Sequence, residues 1–235
     1  MAIVKEKNDP WAQTAKQAAT RHGYAARSEL ALRQSMEDLF RERMPGARVV
    51  HEIVMGEGRA RADMASIGTD TIEAVEVKGS HDDTTRLLHQ VGMFQLCVPT
   101  VWVVASENHA EDVRLIKHLL PSIGVIIGKG MDRHFYNEDG RVFDFEVESE
   151  PGPFSPPPEM MLRLMWAEEM RSLCDRVGLD VGARATRRHM ETRLLSTLTP
   201  EEIKCGVCTD LRARDALWRA DDPVPIEEKA TRRDE

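Results

Sequence analysis

The spacing of apolar residues switches repeatedly between a helical and a strand-like period, and this alternation constrains the fold most. Ser28–Arg43 has apolar residues three and four positions apart, as in an amphipathic helix, and Pro45-Gly46 ends it. The segments that follow are predicted as strands Val49–Met55, Arg59–Ile67 and Thr71–Lys78, helix Asp82–Cys97, strand Thr100–Ala105, helix Ala110–Leu120, and strands Ser122–Ile127 and Arg141–Val147. This order predicts an α/β fold in which helices flank a mixed sheet.

A run of prolines divides the chain. Pro151–Pro158 holds five of the twelve prolines, and we interpret it as a semi-rigid linker. Beyond it only helical spacing is found, which predicts helices at Met160–Val177, at Thr186–Leu198 and from Thr199 to Trp218. The predicted organisation is a core of residues 1–150, a linker of residues 151–158, an all-helical C-terminal unit of residues 159–220 and a flexible tail of residues 221–235.

Composition excludes several classes of protein. With 41% hydrophobic and 31% charged residues, wholesale disorder is not expected. The apolar stretches are far shorter than the roughly 20 residues of a membrane span, and the charged N-terminus does not resemble a secretory signal. Four cysteines make no disulfide framework, so we predict a cytoplasmic protein. A net charge of −8 excludes a globally basic binder, but local basic patches remain compatible with a nucleic-acid enzyme.

The most informative segment is the pair of predicted strands around Gly68-Thr69-Asp70. If these strands form a hairpin with its tip at Thr69-Asp70, Asp63 lies directly opposite Glu76, with Cβ atoms about 4.5–5.5 Å apart. Lys78 follows Glu76 by two residues and therefore faces the same side. The valines that alternate with Glu76 and Lys78 point to the other face, into a core.

Two carboxylates held opposite each other repel unless a cation lies between them. Mg²⁺ or Mn²⁺ accepts oxygen ligands from one or two carboxylates, and a neighbouring lysine can orient a water or stabilise charge on a phosphate. Asp63 followed by Glu76-Val77-Lys78 therefore fits metal-assisted hydrolysis of a phosphodiester. Taken alone, so short a pattern is more often a pair of solvent-facing carboxylates, one of them paired with Lys78.

The context of these residues resembles the PD-(D/E)xK nuclease superfamily, whose restriction-endonuclease-like core is a helix, a three-strand meander, a helix and a strand. The segments that carry the resemblance are Arg61-Ala-Asp63, Glu76-Val-Lys78, Asp82-Asp-Thr-Thr-Arg86-Leu-Leu-His-Gln90, Leu164-Met-Trp166-Ala-Glu-Glu169-Met and Arg184-Ala-Thr-Arg187-Arg188. They are similar in particular to a group of small, poorly characterised bacterial and phage members with a helical C-terminal extension. The resemblance spans residues 24–215.

The resemblance implies a deoxyribonuclease that uses Mg²⁺ or Mn²⁺ and acts in DNA repair, recombination, or phage or mobile-element DNA processing. The residues it assigns to the metal are Glu29, Asp63, Glu76 and the carbonyl of Val77, and it assigns Lys78 to the attacking water. The residues it assigns to phosphate contact or to support of the metal ligands are Arg61, Arg86 and Gln90. His81 is expected to contact phosphate because it lies next to the predicted site in the sequence. DNA is the implied partner, and a homodimer is left open.

Two other interpretations stay open. The chain could be a catalytically silent nuclease-fold module that binds DNA or protein, which the net negative charge favours and the intact Glu76-Val77-Lys78 disfavours. Cys205-Gly-Val-Cys208 could be half of a zinc site or a redox pair, although a second cysteine pair is missing from the sequence. Packing roles are expected for Phe94 and Trp166. The arginines expected either to bind phosphate or to form a solvated helix surface are Arg184, Arg187, Arg188, Arg193, Arg212, Arg214 and Arg219.

Overall fold

Strands and helices alternate along the chain in the order that the apolar spacing predicts. The computed structural model describes residues 35–80, 82–129, 144–215 and 220–226, and residues 35–43 form helix α1. The elements that follow are β1 Arg48–Met55, β2 Ala60–Ile67, β3 Ile72–Lys78, α2 Leu87–Gln95, β4 Thr100–Ser106, α3 Ala110–Leu119, β5 Gly124–Lys129 and β6 Asp144–Ser149. The C-terminal helices are α4 Pro158–Leu162, α5 Ala167–Arg176, α6 Arg187–Thr197 and α7 Pro200–Ala213.

The six strands form one mixed sheet in the order in which they occur in the chain. The β1–β2, β2–β3 and β5–β6 pairs are antiparallel, whereas β3–β4 and β4–β5 are parallel. Parallel neighbours need a crossover connection, and α2 and α3 supply the two crossovers. The predicted α/β class, with a mixed sheet, flanking helices and C-terminal helices, is confirmed.

Each face of the sheet carries its own hydrophobic cluster. The larger cluster joins the sheet to α2, α3 and the C-terminal helices through residues such as Ala74, Val103, Phe94 and Val113. The smaller cluster lies against α1 and consists of Met36, Phe40, Val49, Met64, Val75, Trp102, Val104 and Ile126. Because strand side chains alternate between faces, Val75 enters the smaller cluster while Ala74 enters the larger one.

The C-terminal helices complete the larger cluster. Leu162, Leu173, Leu194 and Val207, one from each of these helices, are buried in it. A methyl group on Gly206 would lie 2.7 Å from Leu173 Cδ1, so α5 and α7 approach closely. The part of the chain beyond the predicted linker thus packs on the sheet.

Two helices differ from their predicted bounds because polar side chains bind nearby backbone groups. The helix predicted from Asp82 begins at Leu87, since Asp82 Oδ2 accepts the Gly79 N–H (2.7 Å) and Asp83 Oδ1 accepts the Thr85 N–H (2.8 Å). The single helix predicted at Met160–Val177 is likewise wrong. It is split into α4 and α5, because Glu169 Oε2 accepts the N–H of Trp166 at 2.6 Å and starts a new helix there.

The segment predicted to be a flexible tail is attached to the sheet at its first residue. Asp221 donates its N–H to Val49 O (3.1 Å) and accepts the Val49 N–H on Oδ2 (2.7 Å). Its Oδ1 lies 2.8 Å from Arg41 Nη2 on α1. The neighbouring Arg48, 2% exposed, donates to the carbonyl of Leu211 at the C-terminal end of α7. These contacts connect α1, β1 and α7 through Asp221, the first residue of the predicted tail. Residues 227–235 of that tail lie outside the described ranges, so its flexibility stays a prediction.

Helix α7 ends at Ala213, whereas the sequence predicts a helix that continues to Trp218, a residue outside the described ranges. None of the helices that the structure describes is both long enough and apolar enough to span a membrane.

Candidate active site

The hairpin of β2 and β3 has the predicted register. Pairing runs from Ile67 opposite Ile72 to Met64 opposite Val75, and a hydrogen bond from Gly68 N–H to Thr71 O (2.9 Å) closes the turn. A one-residue slip would have moved every side chain to the other face. The register therefore brings Asp63 and Glu76 to corresponding positions on neighbouring strands.

The two strands separate at Asp63. The next hydrogen-bonded pair of this register would join Ala62 to Val77, but the ladder ends at Met64 and Val75. Asp63 Oδ2 accepts the N–H of Val77 at 2.8 Å in place of a backbone carbonyl. Beyond this point β2 stays paired with β1. Asp63 and Glu76 thus flank a fork between β2 and β3.

Glu76 is the most deeply buried carboxylate of the fork, with 1% of its surface exposed. Its Oε1 accepts two hydrogen bonds, from Lys78 Nζ at 2.8 Å and from Gln90 Nε2 on α2 at 2.7 Å. Among the described residues, its Oε2 is buried without a hydrogen-bond partner. A buried carboxylate oxygen in this state costs free energy unless another group satisfies it.

The surroundings of Glu76 favour its neutral form. Burial is the largest cause and the charge of Asp63 the next, and together they raise the pKa of Glu76 to about 7. The hydrogen bonds and charge of Lys78, together with the hydrogen bond from Gln90, act in the opposite direction. The fork therefore holds more negative charge than its own cations offset.

The donor atoms at the fork fit a divalent cation. Glu76 Oε2 is an unsatisfied buried acceptor, and Asp63 lies close enough to raise the Glu76 pKa. The N–H and C=O of a strand residue point to the same neighbouring strand, so the Val77 carbonyl points to the fork as its N–H does. In the described part of the chain, no three or more His, Cys, Asp or Glu side chains form a metal-binding group. Glu29, the further carboxylate that the sequence suggested, lies outside the described residues.

Of the other predicted site residues, Gln90 is the one that the structure shows in contact with Glu76. Arg86, by contrast, is exposed just before the first turn of α2. Arg61 has a side chain 64% exposed and forms an ion pair with Glu52, Nε to Oε2 at 2.6 Å. His81 is not among the described residues.

Three residues at and just after the end of β4 support the loop that follows Lys78, and the sequence patterns did not identify them. His109 Nε2 donates to Gly79 O at 3.1 Å, and Asn108 Nδ2 donates to Ser80 O at 2.7 Å. The hydroxyl of the buried Ser106 donates to the side-chain carbonyl of Asn108. Their position could have identified them, because β3 and β4 are parallel neighbours whose following loops meet at one edge of the sheet.

The structure corrects several weaker sequence expectations. Phe94 is fully buried, as predicted, but Trp166 is 53% exposed and stacks on Arg214, whose guanidinium carbon lies 4.4 Å from the ring centroid. Arg187 and Arg212 donate to backbone carbonyls, as does Arg214. These three arginines stabilise the fold, because their guanidinium groups bind backbone carbonyls within the protein rather than forming a free phosphate-binding surface.

The two cysteines of α7 differ in environment. Cys208 is buried, its Sγ lies 3.6 Å from Thr71 O, and burial raises the pKa of its thiol to about 12. Cys205 is exposed. A thiol of such high pKa is a packing group rather than a nucleophile.

Comparison with known proteins defines the family of this α/β chain. Residues 34–233 match the family model of bacteriophage P4 protein cII. The chain therefore belongs to the bacteriophage P4 cII family, and the match includes both the sheet and the C-terminal helices. The curated proteins include no match. Among solved structures, the SPO1766 protein of unknown function from Silicibacter pomeroyi is 15% identical, with 66% of this chain and 84% of that chain covered and a TM-score of 0.34.

Proposed function

We propose that the protein is a metal-dependent deoxyribonuclease that hydrolyses DNA phosphodiester bonds at the fork between β2 and β3. The observation that carries the proposal is the buried Glu76, whose Oε2 is without a hydrogen-bond partner among the described residues, beside Asp63 and Lys78. Burying a carboxylate next to a second one destabilises a protein. Such an arrangement is typical of a site that binds a cation.

The residues that would hold Mg²⁺ or Mn²⁺ are Asp63, Glu76 and the carbonyl of Val77, with Glu29 as a further ligand. When bound, the ion would supply Lewis-acid stabilisation of phosphate oxygens and a lower pKa for a bound water. Asp63 is oriented by the Val77 N–H, and Glu76 is oriented by Gln90. These contacts fix both carboxylates in advance of ligand binding, which reduces the cost of binding.

Lys78 would act on the water and on the charge that develops at the phosphate. Its ammonium group lies beside Glu76 with its side chain 12% exposed, so it is held in place and still reaches the solvent side of the fork. An ammonium group in this position can stabilise negative charge on a phosphate oxygen. It would also weaken the attraction of Glu76 for protons.

DNA would approach the exposed side of the fork, with Arg61 and Arg86 as the proposed phosphate contacts. Both side chains are exposed, and Arg61 would exchange its ion pair with Glu52 for a phosphate contact. His81 is proposed as a further phosphate contact on the sequence alone. With a net charge of −8, binding depends on such local cations rather than on the overall field. Membership in a family named for a bacteriophage protein is in keeping with a role in phage or mobile-element DNA processing.

A second candidate is a catalytically silent nuclease-fold module that binds DNA or protein. It is favoured by the fact that Lys78 and Gln90 share one oxygen of Glu76, while Asp63 is bound to the backbone of Val77. In this interpretation the contacts of Asp63 and Glu76 serve only to stabilise the ends of β2 and β3. The net negative charge also favours it.

A cleavage assay distinguishes the two candidates. Duplex, single-stranded, flap and junction DNA are incubated with the full chain in Mg²⁺, in Mn²⁺ and in EDTA. Cleavage that requires the ion and is lost in Glu76→Gln supports the nuclease. Glu73→Gln is the matched control, because Glu73 is a half-buried carboxylate on the same strand that binds Trp102 instead. DNA binding without cleavage by any of these proteins would support the silent module.

A further inference from the structure

Glu52 lies in the middle of β1 with a backbone conformation that L residues rarely adopt. Its φ is +56°, in the left-handed region. Among the described residues, Glu57 is the other non-glycine residue with a positive φ, and it lies in the turn Gly56–Gly58, where such conformations are common. A left-handed glutamate inside a strand is therefore a local strain that the surrounding structure maintains.

At the position of this strain, the side chains of β1 and β2 exchange the faces of the sheet to which they point. Along a regular strand, residues on one face are two apart. In β1, however, Val50 and Ile53 both face the larger cluster although they are three apart, and in β2 the same is true of Ala62 and Ala65. The β1–β2 register is the same before and after this point. Both strands thus rotate at one position without slipping.

The position of rotation is the Glu52–Asp63 pair. The ladder of β1 with β2 includes His51 with Met64 and Ile53 with Ala62, but omits Glu52 with Asp63. This is also the point at which β2 leaves β3 and the Asp63 carboxylate binds the Val77 N–H. The backbone of Glu52 and the orientation of Asp63 therefore change together.

We infer that Glu52 is a positioning residue: its left-handed backbone rotates β1 and β2 so that Asp63 leaves the ladder and presents its carboxylate to Val77 and to the fork. The inference deepens the proposed function, on which it rests for the role of Asp63 as a metal ligand. The Glu52–Arg61 ion pair is secondary, because the Arg61 side chain is 64% exposed and such pairs contribute little.

The test uses substitutions that differ in their tolerance of a positive φ. Glycine and asparagine adopt it readily, whereas a β-branched residue does not. Glu52→Gly and Glu52→Asn are therefore expected to keep the rotation, and Glu52→Val to lose it. Glu57→Val is the matched control, because it imposes the same conflict at a φ of +60° away from Asp63. Arg61→Ala removes the ion pair alone.

The main measurement is amide hydrogen exchange and chemical shift at Val77, by NMR of the full chain. In Glu52→Val the Val77 amide is expected to exchange at least about tenfold faster as it loses its Asp63 acceptor. Mn²⁺ affinity is expected to fall about tenfold or more in the same variant. The Gly, Asn, Arg61→Ala and Glu57→Val variants are expected to keep the wild-type Val77 amide. If Glu52→Val does not fold, Glu52→Thr replaces it with a milder β-branched conflict.

An unchanged Val77 amide in the folded valine or threonine variant would overturn the inference, as would loss of its protection in Glu52→Gly. The outcome is separate from that of the proposed function. If the wild-type protein cleaves none of the DNA substrates, the nuclease proposal fails, while the Val77 amide still reports whether Glu52 positions Asp63.

Discussion

Gln90 donates a hydrogen bond of 2.7 Å to Glu76 Oε1, the oxygen that also accepts from Lys78 Nζ. Gln90 lies on a helix and Glu76 on a strand, so the contact fixes the first turns of α2 against the end of β3. Because both donors use one oxygen, Oε2 is left without a hydrogen-bond partner within the described residues. The difference between the two oxygens of Glu76 underlies the predictions on Lys78 and Glu76.

Replacing Lys78 by alanine is expected to reduce metal-dependent cleavage by about 10²–10³-fold, because one preorganised stabiliser of developing charge typically contributes that much. DNA affinity should change little, since Lys78 acts at one phosphate. Single-turnover kinetics and a binding titration measure the two quantities. Lys129→Ala, which removes an exposed lysine paired with Glu146, is the control. Equal, metal-independent cleavage by both variants would indicate a contaminating nuclease.

Glu76→Gln is expected to stabilise the metal-free protein at pH 8, because it removes a buried negative charge beside Asp63 while keeping an oxygen for Lys78 and Gln90. The same change should weaken Mn²⁺ binding. Thermal unfolding with and without Mn²⁺ tests both effects. A variant that melts below the wild type in EDTA would contradict a strained, cation-binding carboxylate.

The stability of the wild type is expected to fall as pH rises from about 4.5 to above 7. Glu76 has a folded-state pKa of about 7, raised from 4.5, so the folded protein binds this proton more tightly than the unfolded chain. Protonated Glu76 contributes its full stabilisation at a pH below 4.5, the pKa in the unfolded chain. This stabilisation is lost as the pH rises through about 7, the pKa in the folded protein. The loss is on the order of 3 kcal/mol, because each pKa unit corresponds to about 1.4 kcal/mol.

Urea unfolding between pH 4 and pH 8 measures this dependence. Because Glu73 and Asp210 also have raised pKa values from burial, the informative quantity is the difference between the wild type and Glu76→Gln. That difference should change through the range from 4.5 to 7. Parallel curves for the two proteins would show that Glu76 titrates normally.

Asp221→Ala is expected to lower the free energy of unfolding by about 1–3 kcal/mol. The substitution removes the carboxylate that accepts the Val49 N–H and pairs with Arg41. Asp38→Ala removes an exposed carboxylate that pairs with the same arginine at 3.3 Å and should cost under about 0.5 kcal/mol. Chemical denaturation of both variants provides the comparison. Equal effects would mean that residue 221 adds only a surface ion pair.

Asn108→Ala and His109→Ala are expected to loosen the loop after Lys78, since each removes a hydrogen bond to a loop carbonyl. Hydrogen exchange in residues 79–86 should rise about tenfold or more. His118→Ala, which removes an exposed histidine on α3, is the control. His109→Gln, which keeps a side-chain N–H donor, is expected to restore protection. Unchanged exchange in both alanine variants would show that the loop is held by other contacts.

Local patterns determined the order of the elements and the register of the β2–β3 hairpin. A period of two or of 3.6 residues follows from the geometry of one strand or helix, and a two-residue turn fixes which residues face each other. For the same reason the spacing of Asp63 and Glu76 about the turn is enough to predict that they occupy neighbouring positions. The proximity of Gln90 to Glu76 was implied by family resemblance and depends on how α2 packs on the sheet.

Contacts between residues distant in sequence determined the rest. Trp166 stacks on Arg214, which follows α7, instead of entering the core. Asp221 is anchored because the Val49 N–H and C=O on β1 bind it. The left-handed Glu52 likewise depends on the pairing of β1 with β2, since nothing in its immediate sequence favours a positive φ. Periodicity describes one element at a time, whereas the packing of several elements decides where a strand rotates, where a helix breaks and which carboxylate oxygen remains without a hydrogen bond.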